Sequence, residues 1–148
     1  MPKSTKIILF IILLLCLPSC STKSNAELIT IPTPDENTGV VTGFIKDTQN
    51  NHDLQIILFL SKNITYDNPE LPPTISFSYQ SNPRGILDTK TGKFYFSKVE
   101  PADNYVITVW YPPGNVKFIK EPNSSKPLQI SVSAGNIIDL GIISLPDD

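Results

Sequence analysis

The sequence predicts an all-β fold, a single β-sandwich of seven or eight short strands. Three observations predict it. Beyond position 39, apolar and aromatic residues recur in short runs, many alternating with polar ones, which is the period of a half-buried strand. Clusters of Gly, Pro, Asn and Asp separate these runs. No stretch beyond Cys20 sustains a helical period, and 14 prolines against 7 glycines suit strands joined by stiff loops better than a helical bundle.

The first element is not part of that fold. Lys3 and Lys6 precede an apolar run from Ile7 to Leu17, the pattern of an export signal over residues 1–19. The run is too short to span a bilayer, which takes about twenty residues. Leu17-Pro18-Ser19-Cys20 resembles the lipobox of bacterial lipoproteins, with an aliphatic residue at −3 and a small residue at −1; Pro18 at −2 departs from the usual pattern. Cys16 fits poorly, because Leu15 would stand where a small side chain is needed. The resemblance implies a diacylglycerol thioether on Cys20, cleavage before it, and acylation of the new amine. Two or three acyl chains, such as palmitate, hold a protein firmly where one binds marginally. The chain is then a lipoprotein facing the periplasm or the cell exterior. Both cysteines are accounted for, so no disulfide forms within the mature chain and the domain holds by its core.

Residues 20–38 are polar, carry prolines and show no period, and are expected to form a tether. The domain is expected over 39–146. Its strands begin with Val40 to Ile45. Leu54 to Leu60 is nearly continuous apolar sequence, short enough for a buried strand. Thr74 to Tyr79 alternates Ile75, Phe77 and Tyr79 with serines. Gly85-Ile86-Leu87 leads into the turn Asp88 to Gly92, after which Phe94 and Phe96 alternate with Tyr95. Tyr105, Ile107 and Val109 alternate with Val106, Thr108 and Trp110. Val116 to Ile119, Leu128 to Val132 and Ile137 to Leu145 complete the set. The expected core is Val41, Ile45, Ile57, Phe59, Phe94, Phe96, Tyr105, Ile107, Val109, Ile130, Val132, Leu140 and Ile142, with Tyr95 or Trp110 facing outward.

Gly39-x-Val41-x-Gly43-x-Ile45-x-Asp47, then Asp88-x-x-Thr91-Gly92-x-Phe94-x-Phe96-x-x-Val99-x-Pro101-x-x-Asn104-Tyr105-x-Ile107, resembles the carboxypeptidase-regulatory-like domains. Ile130-x-Val132-x-Ala134-Gly135 and Leu140-Gly141-x-Ile143-x-Leu145 match their closing hairpin. The resemblance implies a Greek-key sandwich of the transthyretin (prealbumin) type. Its landmarks are structural, so it speaks for fold and little for function. Asp103-Asn104 stands where that family has Gly before the tyrosine, and the stretch Ser61 to Pro83 is longer than usual.

Chemistry is sparse. The formal charge is −2, and removing residues 1–19 takes it to about −4, so nucleic-acid binding, which needs a basic face, is excluded. His52 is the one histidine, in a polar turn, and no Gly-x-Ser-x-Gly is present, so no catalytic residue is assigned. The hydrolases of purine breakdown that share the transthyretin-like fold rely on several histidines and a basic C-terminal motif, both missing here. One histidine and no free thiol cannot build a zinc site. Asp47, Asp53, Asp88 and Asp103 fall in loops without EF-hand spacing. Lys46 and Asn136 lie near the first and last strands, as in pilus modules that form a Lys–Asn isopeptide bond, but the strand from Tyr105 to Trp110 carries no assisting acid. No cofactor or metal is expected. Two aromatic loops stand out, 61–84 and 110–114; Tyr66, Phe77, Tyr79, Trp110 and Tyr111 are the candidate binding residues. The expected function is a non-catalytic, lipid-anchored module for protein interaction or envelope assembly. The alternative is a glycan- or small-ligand-binding lipoprotein using the same two loops.

Overall fold

The computed structural model describes residues 29–46, 55–68 and 70–146. Within these the chain is all-β, with nine strands in two sheets. The strands are β1 (Gly39–Ile45), β2 (Ile57–Ile64), β3 (Thr74–Ser76), β4 (Ile86–Leu87), β5 (Lys93–Val99), β6 (Ala102–Tyr111), β7 (Asn115–Phe118), β8 (Ile130–Val132) and β9 (Ile137–Ile143). The first sheet runs β4-β5-β1-β9, and β1 pairs antiparallel with β5 and parallel with β9. The second runs β3-β2-β6-β7, with β8 also on β6. Val41, Phe94 and Phe96 of the first sheet and Leu58, Leu60, Ile107 and Val109 of the second are buried in one shared core, an arrangement consistent with a β-sandwich.

The second sheet is organised by β6. It has ten residues, roughly 33 Å at about 3.3 Å per residue. One edge takes β2, from Ile57↔Trp110 to Lys62↔Tyr105. The other edge is long enough for two short strands end to end: β7 covers Thr108 to Tyr111, and β8 pairs with Ala102 and Tyr105. The chain leaves the sheet between them, at residues 120–127, and returns through the Lys120↔Pro127 bridge. A one-residue bulge at Asp103-Asn104 keeps both Ala102 and Tyr105 on the core side.

Of the expected core residues, Ile142 is exposed and Ile57 only half-buried, while Phe59 is buried as expected but outside the shared core. Ile142 is 75% exposed, and Ile143, at 8%, takes the buried place. The β1–β9 ladder pairs Thr42 with Asp139 but Phe44 with Ile142, so β9 holds one extra residue. Gly141 carries the bulge at φ +64°, a left-handed conformation that glycine adopts without steric cost, and its N–H is held 2.9 Å from Asp139 Oδ1. The extra residue reverses the alternation, so Leu140 stays against the core while Ile142 turns out. In β2 the shared core takes Leu58 and Leu60, and Ile57 and Phe59 point to the opposite face. Ile57 is half-buried there; Phe59 is buried on that outer face rather than in the shared core. The expected strand Thr74–Tyr79 is ordered as strand only to Ser76.

Close approach explains one glycine. A Cβ on Gly39 would lie 2.5 Å from Val132 Cγ1 and 2.8 Å from the Ser133 carbonyl, so β8 can sit against the start of β1 only if position 39 has no side chain. Ahead of β1, the stretch from Ile29 to Thr38 lies along the domain: Ile29, Ile31, Pro32 and Pro34 are half-buried. Asp35 Oδ1 accepts from the Asn37 and Thr38 amides and the Thr38 hydroxyl, and Gly135 N–H donates to the Asp35 and Thr38 carbonyls. Asp88 plays the same part in the β4–β5 turn, accepting from the Lys90 amide and the Thr91 hydroxyl.

The register makes a sharp prediction. Ile143→Ala should cost about 2–4 kcal/mol in urea unfolding and Ile142→Ala less than about 0.5 kcal/mol; equal costs would contradict the bulge. The two turns predict a pH dependence. The Thr38 hydroxyl and then the Asn37 amide hold Asp35 below its ordinary value of 3.8, and the Thr91 hydroxyl chiefly does so for Asp88. Folded values below the unfolded one mean that this stability is fully present above 3.8 and is lost as pH falls through the lowered values. The Asp35→Asn, Asp88→Asn double variant should therefore lose less urea resistance than the parent on going from about pH 5 to about pH 2.

Candidate binding surface

The outer face of the second sheet is where the predicted aromatic residues meet. Cross-strand pairing sets the rows on this face: Ile57, Trp110 and Val116 form one, Phe59, Thr108 and Phe118 the next, Ser61 and Val106 a third. An open sheet face would leave the second and third rows wet. Instead Phe59, Ser61, Val106 and Thr108 are all at most 1% exposed. The segment from Phe77 to Gly85 covers Phe59, through Phe77 and Tyr79, and Ser61, through Asn82. It leaves β3 and crosses the face, and its Pro83 and Gly85 rejoin the edge of β2 by backbone bonds to Leu60 and Leu58 of 2.9 and 2.8 Å.

The cover is aromatic at one end and polar at the other. Phe59 packs edge-on against Phe77, with ring centroids 5.3 Å apart, and against Tyr79 at 5.6 Å; Tyr79 meets Trp110 at 4.9 Å. Phe59–Phe77 at 79° and Tyr79–Trp110 at 64° have the edge-to-face geometry in which the positive rim of one ring meets the negative face of the next, and Phe59–Tyr79 is tilted at 58°. At the polar end Asn82 acts as a pin. Its Nδ2 donates to the Leu60 carbonyl at 2.7 Å and to Ser61 Oγ at 3.0 Å, and its Oδ1 accepts from the Ser78 amide at 2.8 Å. The buried Ser61 and Thr108 hydroxyls share a hydrogen bond of 2.9 Å. These bonds satisfy polar groups that the cover would otherwise strand without water.

Of the five predicted residues, Phe77, Tyr79 and Trp110 come together. Tyr79 is 52% exposed and Trp110 is half-buried, so the cluster is covered beneath and open above. Tyr111, one residue on, turns to the opposite face and packs against the shared core. Tyr66 is 45% exposed on the β2–β3 connection and makes none of the cluster's ring contacts. The stretch expected as one long loop, 61–84, is in part ordered strand, since Ser61 to Ile64 complete β2 and Thr74 to Ser76 form β3. Sequence reasoning missed Phe59 and Asn82 as parts of this surface. The unbroken run Leu58-Phe59-Leu60 carried the clue, because a strand apolar on both faces has both faces covered.

A second recess, of about 740 Å³, opens between the 120–127 excursion and the chain's last described residues. Leu128, Leu140 and Leu145 line it with Lys120, Glu121 and Ser124. It holds none of the predicted aromatic residues. Cys20, His52, Asp47 and Asp53 lie outside the described residues. Among the described residues, no three His, Cys, Asp or Glu side chains are grouped to hold a metal ion. Lys46 bonds beside Ile143 and Asn136 beside Val40, at opposite ends of β1. They are roughly 20 Å apart at about 3.3 Å per residue, too far for an isopeptide bond. Comparison of the chain with family models, with curated proteins and with solved structures finds no match to any of them.

Asn82→Ala should lower stability by about 1–3 kcal/mol, because it leaves buried partners unpaired. It should also expose 77–84 to limited proteolysis before the domain unfolds. Cleavage of that segment at the parent rate would show that Asn82 does not hold it.

Proposed function

We propose that this chain is a lipid-anchored, non-catalytic β-sandwich that binds a protein partner in the bacterial envelope through the patch formed by Ile57, Tyr79, Trp110 and Val116. The observation that carries the reading is the pairing of Tyr79 with Trp110. A half-exposed tyrosine packs on Phe59 and against a half-buried tryptophan, and the two are flanked by the apolar residues of one sheet row. Val116 is 38% exposed, so the row continues apolar surface beyond the rings. Tyrosine and tryptophan are enriched at the centres of protein interfaces, where large ordered rings add contact area at little entropic cost.

The anchor is the thioether lipid on Cys20, read from the lipobox-like Leu17-Pro18-Ser19-Cys20. The sheet order supports a Greek-key topology of the transthyretin type: β1 lies between β5 and the last strand, and β5 and β6, adjacent in sequence, belong to different sheets.

The test is cross-linking in the native membrane followed by identification of what co-purifies. Tyr79→Ala and Trp110→Ala, each on an outer surface, should reduce the captured partner by roughly ten-fold, the loss expected when an interface anchor is truncated. Tyr66→Ala should leave capture unchanged. Glycan binding lost in Trp110→Ala with no protein captured would replace this reading with the carbohydrate one. Cys20→Ala should move the protein to the soluble fraction or leave an uncleaved precursor; a variant that stays membrane-bound at mature mass would remove the anchor.

A further inference from the structure

The first sheet has an outer face of its own, and its chemistry differs from that of the aromatic patch. Register places Phe44 beside Ile142 on one side and beside Lys93 on the other. In the next row Ile86 lies beside Tyr95. Phe44 is 41%, Ile86 50% and Ile142 75% exposed, with Ile137 at 51% farther along β9. Ile142 is there because of the Gly141 bulge, without which an isoleucine at this position would be buried. Val40 and Thr42, in the middle of the same face, are only 1% and 8% exposed. Residues 29–34, of which Ile29, Ile31, Pro32 and Pro34 are half-buried, lead from Lys93, whose Nζ lies 3.4 Å from the Ile29 carbonyl, toward the Asp35 turn at the start of β1. The chain therefore joins the domain on this face, beside Phe44.

We propose that this face rests on the lipid bilayer, with Phe44 and Ile142 entering the headgroup region and the Tyr79–Trp110 patch turned away from the membrane. The inference rests on the reading of Cys20 as lipidated. Eight residues, 21–28, then lie between the lipidated cysteine and Ile29, and even fully extended the nine steps from Cys20 to Ile29 span at most about 32 Å at roughly 3.3–3.6 Å each. A tether this short holds the face it joins at high local concentration over the lipid, so a few apolar side chains suffice where a free domain would not bind. The titratable groups about the face are mixed, Lys46, Lys90 and Lys93 with Asp88 and Asp139, so burial of apolar area rather than net charge would drive the contact. The two outer faces lie on opposite sides of the shared core, so seating one on lipid presents the other to partners.

The test uses the full lipidated chain, reconstituted into vesicles of phosphatidylethanolamine and phosphatidylglycerol. In the anchoring reading it has no free thiol, so Ile142→Cys or Val116→Cys accepts a single fluorescent label. Acyl chains brominated near the headgroup should roughly halve the emission from position 142 and leave that from 116 unchanged, as expected for a side chain at the acyl boundary. Adding Phe44→Asp, with folding checked by circular dichroism, should abolish the quenching while the protein still floats with the vesicles. Flotation with equal emission at both positions would overturn the docking and leave the anchor standing. Cross-linking of two copies through 142, without quenching, would assign the face to a dimer instead. Failure to float would remove the anchor, and the docking with it.

Discussion

Phe59 points away from the shared core, and leaving its ring in water would forfeit roughly 2–3 kcal/mol of apolar transfer energy. The chain recovers that energy by drawing the segment after β3 across the sheet, so that Phe77 and Tyr79 close over the ring. Everything else on that face follows. Ser61 and Thr108, buried on the same face, bond to each other, and Ser61 also bonds to Asn82. Trp110, at the rim, gains a partner in Tyr79. A polar residue at position 59 would remove the reason for the cover, and the surface proposed for binding would not be assembled.

The same logic, run in reverse, shapes the opposite face. There one inserted residue at Gly141 turns an isoleucine out of the core and a second one in. A bulge late in an edge strand also interrupts the unpaired backbone that would otherwise invite another strand. The domain thus has two unlike outer surfaces, one built from packed aromatic rings over a buried support and one from Phe44 and exposed isoleucines beside the incoming chain. On the readings proposed above, a lipid anchor and a partner-binding patch take opposite sides, so neither blocks the other.

The strand pattern was legible because it depends on local periodicity. Alternation placed Phe94 and Phe96, then Tyr105, Ile107 and Val109, on the buried face, and all five are buried. The Asp88 to Gly92 turn was legible for the same reason, since Asp88 bonds within four residues and Gly92 takes φ +77°. Of the aromatic site, residue types were legible and their assembly only in part. Trp110 and Tyr111 are neighbours in sequence, yet a strand sends them to opposite faces, so a motif spanning both could not form one surface.

By itself the sequence determined the class of fold and the position of nearly every strand, because each rests on composition and period within a short window. The tertiary structure alone decided which face of β2 is core, which isoleucine of β9 is buried, and which aromatics meet. Those outcomes depend on register between strands far apart in the chain, and a bulge of one residue, or a segment folded back over a face, changes them without altering the local pattern.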